Sequence, residues 1–199
     1  MRPVDDFLAA VDDQWTPRVA GVAKTRLRII GCSALLLQTD YARGTKDSDI
    51  LETAEILPDT KARLLKLAGR GTELHLRHRH YLEFVPGGLP LLRQNPLWHS
   101  HARMRARLRH FEIEVLDVVD VVVSKLKRLH ADDASDIEAM VERGLVPHSS
   151  LLECFRDAVD FHALGAGADD VARCLANLHW LERDVLGVTE TEIELPDWA

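Results

Sequence analysis

Near residue 115 the apolar pattern of this chain passes from mixed strand and helix periods to helical spacing alone, and that change constrains the fold more than any other feature. Up to about residue 115, strand-like runs and short helices alternate. Leu27, Ile29 and Ile30 read as a strand ending at Gly31, and Ser33-Ala-Leu-Leu-Leu as a short helix launched from the Gly-Cys-Ser turn. Asp47-Ser-Asp-Ile-Leu is the next extended segment, and a helix with Asp59 as its N-cap runs to Gly69. From Leu74 to Val85 the even positions Leu74, Leu76, Leu82 and Phe84 are apolar, which predicts one strand with a buried face and with Glu83 on its polar face. Phe111-Glu-Ile-Glu-Val-Leu alternates in the same way. An amphipathic helix carrying Val4, Phe7, Leu8, Val11 and Trp15, broken near Pro17, precedes all of this. Beyond Asp117 only helical spacing remains, over about 117–130, 133–143, 149–163 and 168–186. The order predicts an α+β fold, with a mixed sheet and helices over residues 1–115 and a helical region over 116–199. At 199 residues and 46% apolar, the chain is long enough to build its core without disulfides or a structural metal. Its three cysteines, Cys32, Cys154 and Cys174, are distant and lack metal-ligand spacing. A reducing, cytoplasmic setting is expected, without membrane insertion, because the longest near-apolar run, Val118 to Val123, contains Asp120.

Charge is distributed unevenly. Residues 1–60 carry a net charge of −3 and residues 111–199 a net −13, whereas residues 61–110 hold 11 Lys/Arg against Glu73 and Glu83, a net +9. Such a block either steers a phosphate-bearing ligand or neutralises acids of its own fold. The −13 segment argues against DNA binding through the C-terminal helices.

The chemistry-bearing segment is Ile30-Gly-Cys-Ser-Ala-Leu-Leu-Leu followed by Arg43-Gly-Thr-Lys-Asp47-Ser-Asp49-Ile-Leu. A glycine turn opening a helix offers backbone N–H groups to a phosphate, and carboxylates at i and i+2 of a strand point the same way, so Asp47 and Asp49 suit a shared hard cation such as Mg²⁺. In combination these elements resemble the polymerase-β-like nucleotidyltransferase superfamily. His80-Tyr-Leu-Glu83-Phe-Val-Pro, and Lys125 followed by Asp133-Ala-Ser-Asp136-Ile, are similar to motifs of its small bacterial, toxin-like branches of the abortive-infection type. The resemblance spans roughly residues 25–140.

The resemblance implies a nucleotidyl transfer from a nucleoside triphosphate to an RNA or protein acceptor. It assigns a pair of Mg²⁺ ions to Asp47, Asp49 and Glu83, with Glu83 also a candidate for the acceptor's proton. Gly31, Ser33, Arg43, Thr45, Lys46 and Lys125 become candidate nucleotide contacts, with Asp133 and Asp136 behind Lys125. It also suggests a neutralising, antitoxin-like partner protein. Two residues depart from the family pattern: Cys32 separates Gly31 from Ser33, and Glu83 stands where aspartate is usual. The second class of function is therefore a module of the same fold that binds nucleotide or a protein without turnover.

Outside that constellation, Trp98-His-Ser-His-Ala-Arg-Met-Arg-Ala-Arg-Leu-Arg109 has two readings. It suits an RNA contact within the basic segment 93–109, or an exposed strand edge protected by charge. His75, His78, His80, His99 and His101 are expected to pack or to face nucleic acid instead of binding metal, and Cys32 to pack. Either Asp132 or Asp133 is expected to cap its helix.

Overall fold

Thr25–Ile30 forms β1, a central strand whose Leu27 and Ile29 are fully buried. In the computed structural model, which describes residues 3–18, 23–42, 44–162 and 168–194, β1 follows α1 (Pro3–Gln14) and leads directly into α2 (Gly31–Gln38). Then come β2 (Asp47–Leu51), α3 (Pro58–Ala68), α4 (Glu73–His78), β3 (Tyr81–Val85), β4 (Trp98–Ser100), α5 (Ala102–Arg107) and β5 (Phe111–Leu116). The helical region comprises α6 (Val118–Lys125), α7 (Ala131–Glu142), α8 (His148–His162) and α9 (Ala168–Trp180), with a π-helical turn over Leu181–Leu186. The fold is α+β. Among the described residues, no helix is long and apolar enough to cross a membrane.

Two compact units divide the chain. One comprises Met1–Gly87 and Trp98–Leu116, the other Gly88–Leu97 and Asp117–Ala199. The first holds a five-stranded sheet of order β3-β2-β1-β5-β4. β1 runs parallel to β5 and antiparallel to β2, β2 runs parallel to β3, and β4 runs antiparallel to β5. Helix α2 is apolar on every side, with Ala34, Leu35, Leu36 and Leu37 all buried, as befits a helix enclosed by its unit. Asp12, at the end of α1, accepts hydrogen bonds from the backbone N–H groups of Arg109, His110 and Phe111 at 2.8–3.1 Å, fastening the start of β5. The second unit packs Val121, Val122, Ile137, Met140, Leu151, Phe155 and Leu178 into its core. Its Gly88–Leu97 segment is tied down by Arg93, whose guanidinium donates to both oxygens of buried Asp120 at 2.7 and 2.9 Å.

Three local expectations are corrected. Leu74 to Val85 is not one strand: Glu73–His78 is helical, and only Tyr81–Val85 is extended. Thr72 caps the helix by accepting from the His75 N–H, Glu73 pairs with Arg77 one turn on, and Arg79 closes it in the left-handed conformation at φ 58°. The apparent alternation arose because Leu74 is buried whereas Leu76 is 64% exposed on the helix. Likewise Trp98–Arg109 is not a continuous strand edge; Arg103, Arg105 and Arg107 lie on α5 around buried Met104. Third, Leu57, with Pro58 at the first helical position, precedes α3 in place of Asp59. The expected cap of α7 by Asp133 is present in another form: His130 occupies the N-cap, and Asp133, three residues on, closes a capping box by accepting the His130 N–H.

In α6, Lys125 is 6% exposed and its ammonium lies 2.7 Å from Asp133 and 2.8 Å from Asp136. Burial disfavours its charge, but the two carboxylates outweigh that and raise its pKa. Asp133 also accepts from Arg128. Burial would raise the Asp133 carboxyl; hydrogen bonds from Arg128 and Lys125 and their charges instead hold it at about 2, below its ordinary 3.8. Asp136→Ala, which strips a partner from a buried ammonium, is expected to cost about 3–5 kcal/mol in urea unfolding of the full chain at pH 7. A folded pKa below the unfolded one means stability that is complete above the unfolded value and lost as pH falls through the folded one. The contribution of Asp133 should thus disappear between about pH 4 and pH 2, and Asp133→Asn should flatten that part of the acid-unfolding curve.

Candidate functional site

Parallel pairing of β2 with β3 sets Asp47 opposite Tyr81 and Asp49 opposite Glu83. Side chains alternate along a strand, so Asp47 and Asp49 share a face, and the register puts Glu83 on it too. Ser48, Ile50 and Leu82 take the opposite, buried face. One ligand oxygen from each of Asp47, Asp49 and Glu83 lies within 4.8 Å of the others, with the aspartates half-buried and Glu83 exposed. Three carboxylates this close repel one another, and a hard divalent cation accepting oxygen ligands is the natural counterweight.

The glycine turn meets the acids from the side. Gly31 opens α2 at φ +65°, and a Cβ built on it would stand 2.9 Å from the Asp49 carboxylate Oδ2. Its lack of a side chain therefore serves twice: it allows the left-handed backbone and admits the aspartate. Ile30 provides no capping side chain for the first turn of α2. Ser33, 2% exposed, donates from Oγ to the Asp47 carbonyl at 2.7 Å and lies 3.3 Å from the Ser48 hydroxyl. Its hydroxyl is thus turned inward to hold β2 and does not face a phosphate, which corrects its expected role. Thr45 donates to Asp47 Oδ1 at 2.7 Å, orienting that carboxylate. Lys46 is exposed while its carbonyl accepts the Tyr81 N–H, and Arg43 lies outside the described residues. Lys125, Asp133 and Asp136 form the buried ion cluster of the helical unit, so the Lys125 ammonium is engaged as a structural cation and not as an open phosphate contact.

Two neighbours of the triad have no site role in the sequence reading, in which Tyr81 is only part of the Glu83 motif and His80 is expected to pack or to face nucleic acid. Tyr81, directly opposite Asp47, has the Arg70 guanidinium 4.8 Å above its ring and bonded to its hydroxyl. His80, buried just before β3, packs at 5.7 Å on Phe7. Burial pushes its imidazole below the usual range; Asp47 works against this, and His78 and His75 add to it. The adjacency of both residues to Asp47 is visible only in the β2–β3 register.

The basic segment 93–109 is largely neutralised within the fold. Arg93 is held by Asp120, Arg107 lies 3.6 Å from Asp6, and Arg109 lies 3.1 Å from Asp13. Arg103 and Arg105 are left on the exposed surface of α5. Burial raises the thiols of Cys154 and Cys174, which keeps both protonated and inert. Compared with protein-family models, curated proteins and solved structures, the chain matches none.

Gly31→Ala is expected to displace the Asp49 carboxylate and weaken Mn²⁺ binding, read by the paramagnetic signal of the free ion, at least about tenfold; Gly71→Ala, where a Cβ meets open space but φ is also positive, separates backbone strain from the loss of approach.

Proposed function

We propose that the protein is a Mg²⁺-dependent nucleotidyltransferase that moves a nucleoside monophosphate from a nucleoside triphosphate to an RNA or protein hydroxyl. The observation that carries this reading is the convergence of Asp47, Asp49 and Glu83 beside the Gly31 turn. Three oxygen donors of high charge fit magnesium and not a soft metal. When bound, magnesium supplies charge neutralisation for the triphosphate oxygens.

Asp47 and Asp49 would hold the cation, kept in place by Thr45, by the Ser33 bond to the Asp47 carbonyl, and by the empty side of Gly31. The chemistry forms a bond from the acceptor oxygen to the α-phosphorus and breaks the bond from that phosphorus to pyrophosphate. Glu83, the exposed member, would receive the acceptor proton, and exposed Lys46 would meet the remaining phosphate charge. The acids of β2 belong to a paired strand, which gives the fixed placement that phosphoryl transfer relies on.

Full-length protein incubated with Mg²⁺, each triphosphate, and RNA or protein acceptors is expected to release pyrophosphate. Asp47→Asn, Asp49→Asn and Glu83→Gln should each lower the rate by on the order of 10²–10³-fold, and chelation should abolish it. Release that survives these substitutions, or no release with any triphosphate and acceptor, overturns the reading.

A further inference from the structure

Next to the triad, on the side of Thr45, lies a cavity of about 540 Å³ bordered by α1, α2, the loop that leads into β2 and the α4–β3 turn. Val4, Leu36 and Tyr41 make it mostly apolar, within the size range of small-ligand sites. Its polar wall is sparse and specific. Thr45 contributes the hydroxyl that bonds Asp47 Oδ1, so this wall is one side chain from the triad. His80, 4% exposed, carries an Nε2 with no hydrogen-bond partner, and the same holds for Nε2 of His78. Both rings rest on Phe7, at 5.7 and 6.0 Å, and the left-handed turn at Arg79 between them brings both to the border of one cavity. A buried polar atom without a partner is a standing cost, which a ligand with donors and acceptors on a flat apolar body removes. At the same border, exposed Arg79 supplies a cation and exposed Asp40 a carboxylate, which can accept from an exocyclic amine.

Resting on the phosphoryl-transfer reading of the triad, we propose that this cavity receives the heterocyclic base of a nucleotide whose reacting end lies at Asp47. Flatness, ring nitrogens and exocyclic donors match apolar walls interrupted by two imidazoles with unpartnered Nε2 atoms and by a hydroxyl, and a cation at the border suits an attached phosphate. Two nucleotides have such a base: the donor triphosphate and the terminal residue of an RNA acceptor. A metal in the cavity is disfavoured, because among the described residues the triad is the one carboxylate, imidazole or thiol group with metal-ligand proximity.

The test uses the full chain with Mg²⁺ and two variants, His80→Phe, which keeps a ring against Phe7, and Ala42→Trp, which fills the cavity from an exposed position on its border. Three probes are titrated calorimetrically: an α,β-methylene triphosphate, a short single-stranded RNA, and base-free tripolyphosphate. The expected result is at least tenfold weaker binding of one nucleotide probe to both variants, with tripolyphosphate unchanged. Loss confined to the triphosphate marks the donor base, and loss confined to the RNA the acceptor base. Unchanged affinity for both nucleotide probes overturns the proposal, as does an equal loss for tripolyphosphate, which would reveal damage to the triad itself. Asp49→Asn, which should weaken tripolyphosphate with Mg²⁺, fails separately if the triad is not a phosphate site.

Discussion

Asp49 and Glu83 are distant in sequence, and the parallel pairing of β2 with β3 makes them neighbours. The pairing is fastened beyond both ends, by the Tyr81 N–H on the Lys46 carbonyl and the Glu52 N–H on the Val85 carbonyl. A slip of one residue would send Glu83 to the face of Ile50 and bury a carboxylate, so the hydrophobic side of the strands enforces the polar side. Ser33 adds a second restraint, because its hydroxyl holds the backbone of Asp47 from below while Gly31 leaves room for Asp49. The arrangement of the acids is therefore a property of the sheet and of the first turn of α2 together.

Much of this architecture was legible in the sequence where period and turn chemistry agreed. Gly31 after an apolar run marked the start of α2, the i and i+2 spacing of Asp47 and Asp49 marked their common face, and the helices beyond Asp117 emerged from their 3.6-residue spacing. The failures came where a short run satisfied two periods. Leu74, Leu76, Leu82 and Phe84 alternate by parity, yet a Thr72 cap and a left-handed Arg79 divide them into helix and strand. For α5, alternating arginines mimicked a strand edge although Met104 is the single buried anchor of a helical turn. Ser33 was misassigned for a different reason: a hydroxyl beside a glycine turn reads alike whether it faces a ligand or the adjacent strand, and only its contact with Asp47 distinguishes them. No pattern in the chain announces a neighbour such as Arg70, which reaches Tyr81 from the α3–α4 connection.

The charge asymmetry resolves in the same local manner. Acids of α1 meet the arginines around α5, Asp120 takes Arg93, and Arg26 and Arg28 of β1 engage Glu114 of β5. Most of these pairs are partly exposed and individually worth little, so they blunt the positive field more than they hold the fold together. The buried cluster of Lys125, Asp133 and Asp136 is different in kind, because each member is costly to leave alone.

The excursion of Gly88–Leu97 into the helical unit has a consequence for anyone dissecting the protein. The polypeptide passes from one unit to the other after Gly87, returns at Trp98 and leaves again after Leu116, so no single scission separates them. A fragment cut after Leu116 would retain Arg93 without Asp120, and its complement would bury an aspartate stripped of its guanidinium. Independent expression of either half therefore calls for excising the loop and grafting it onto the other piece, not for choosing a better terminus.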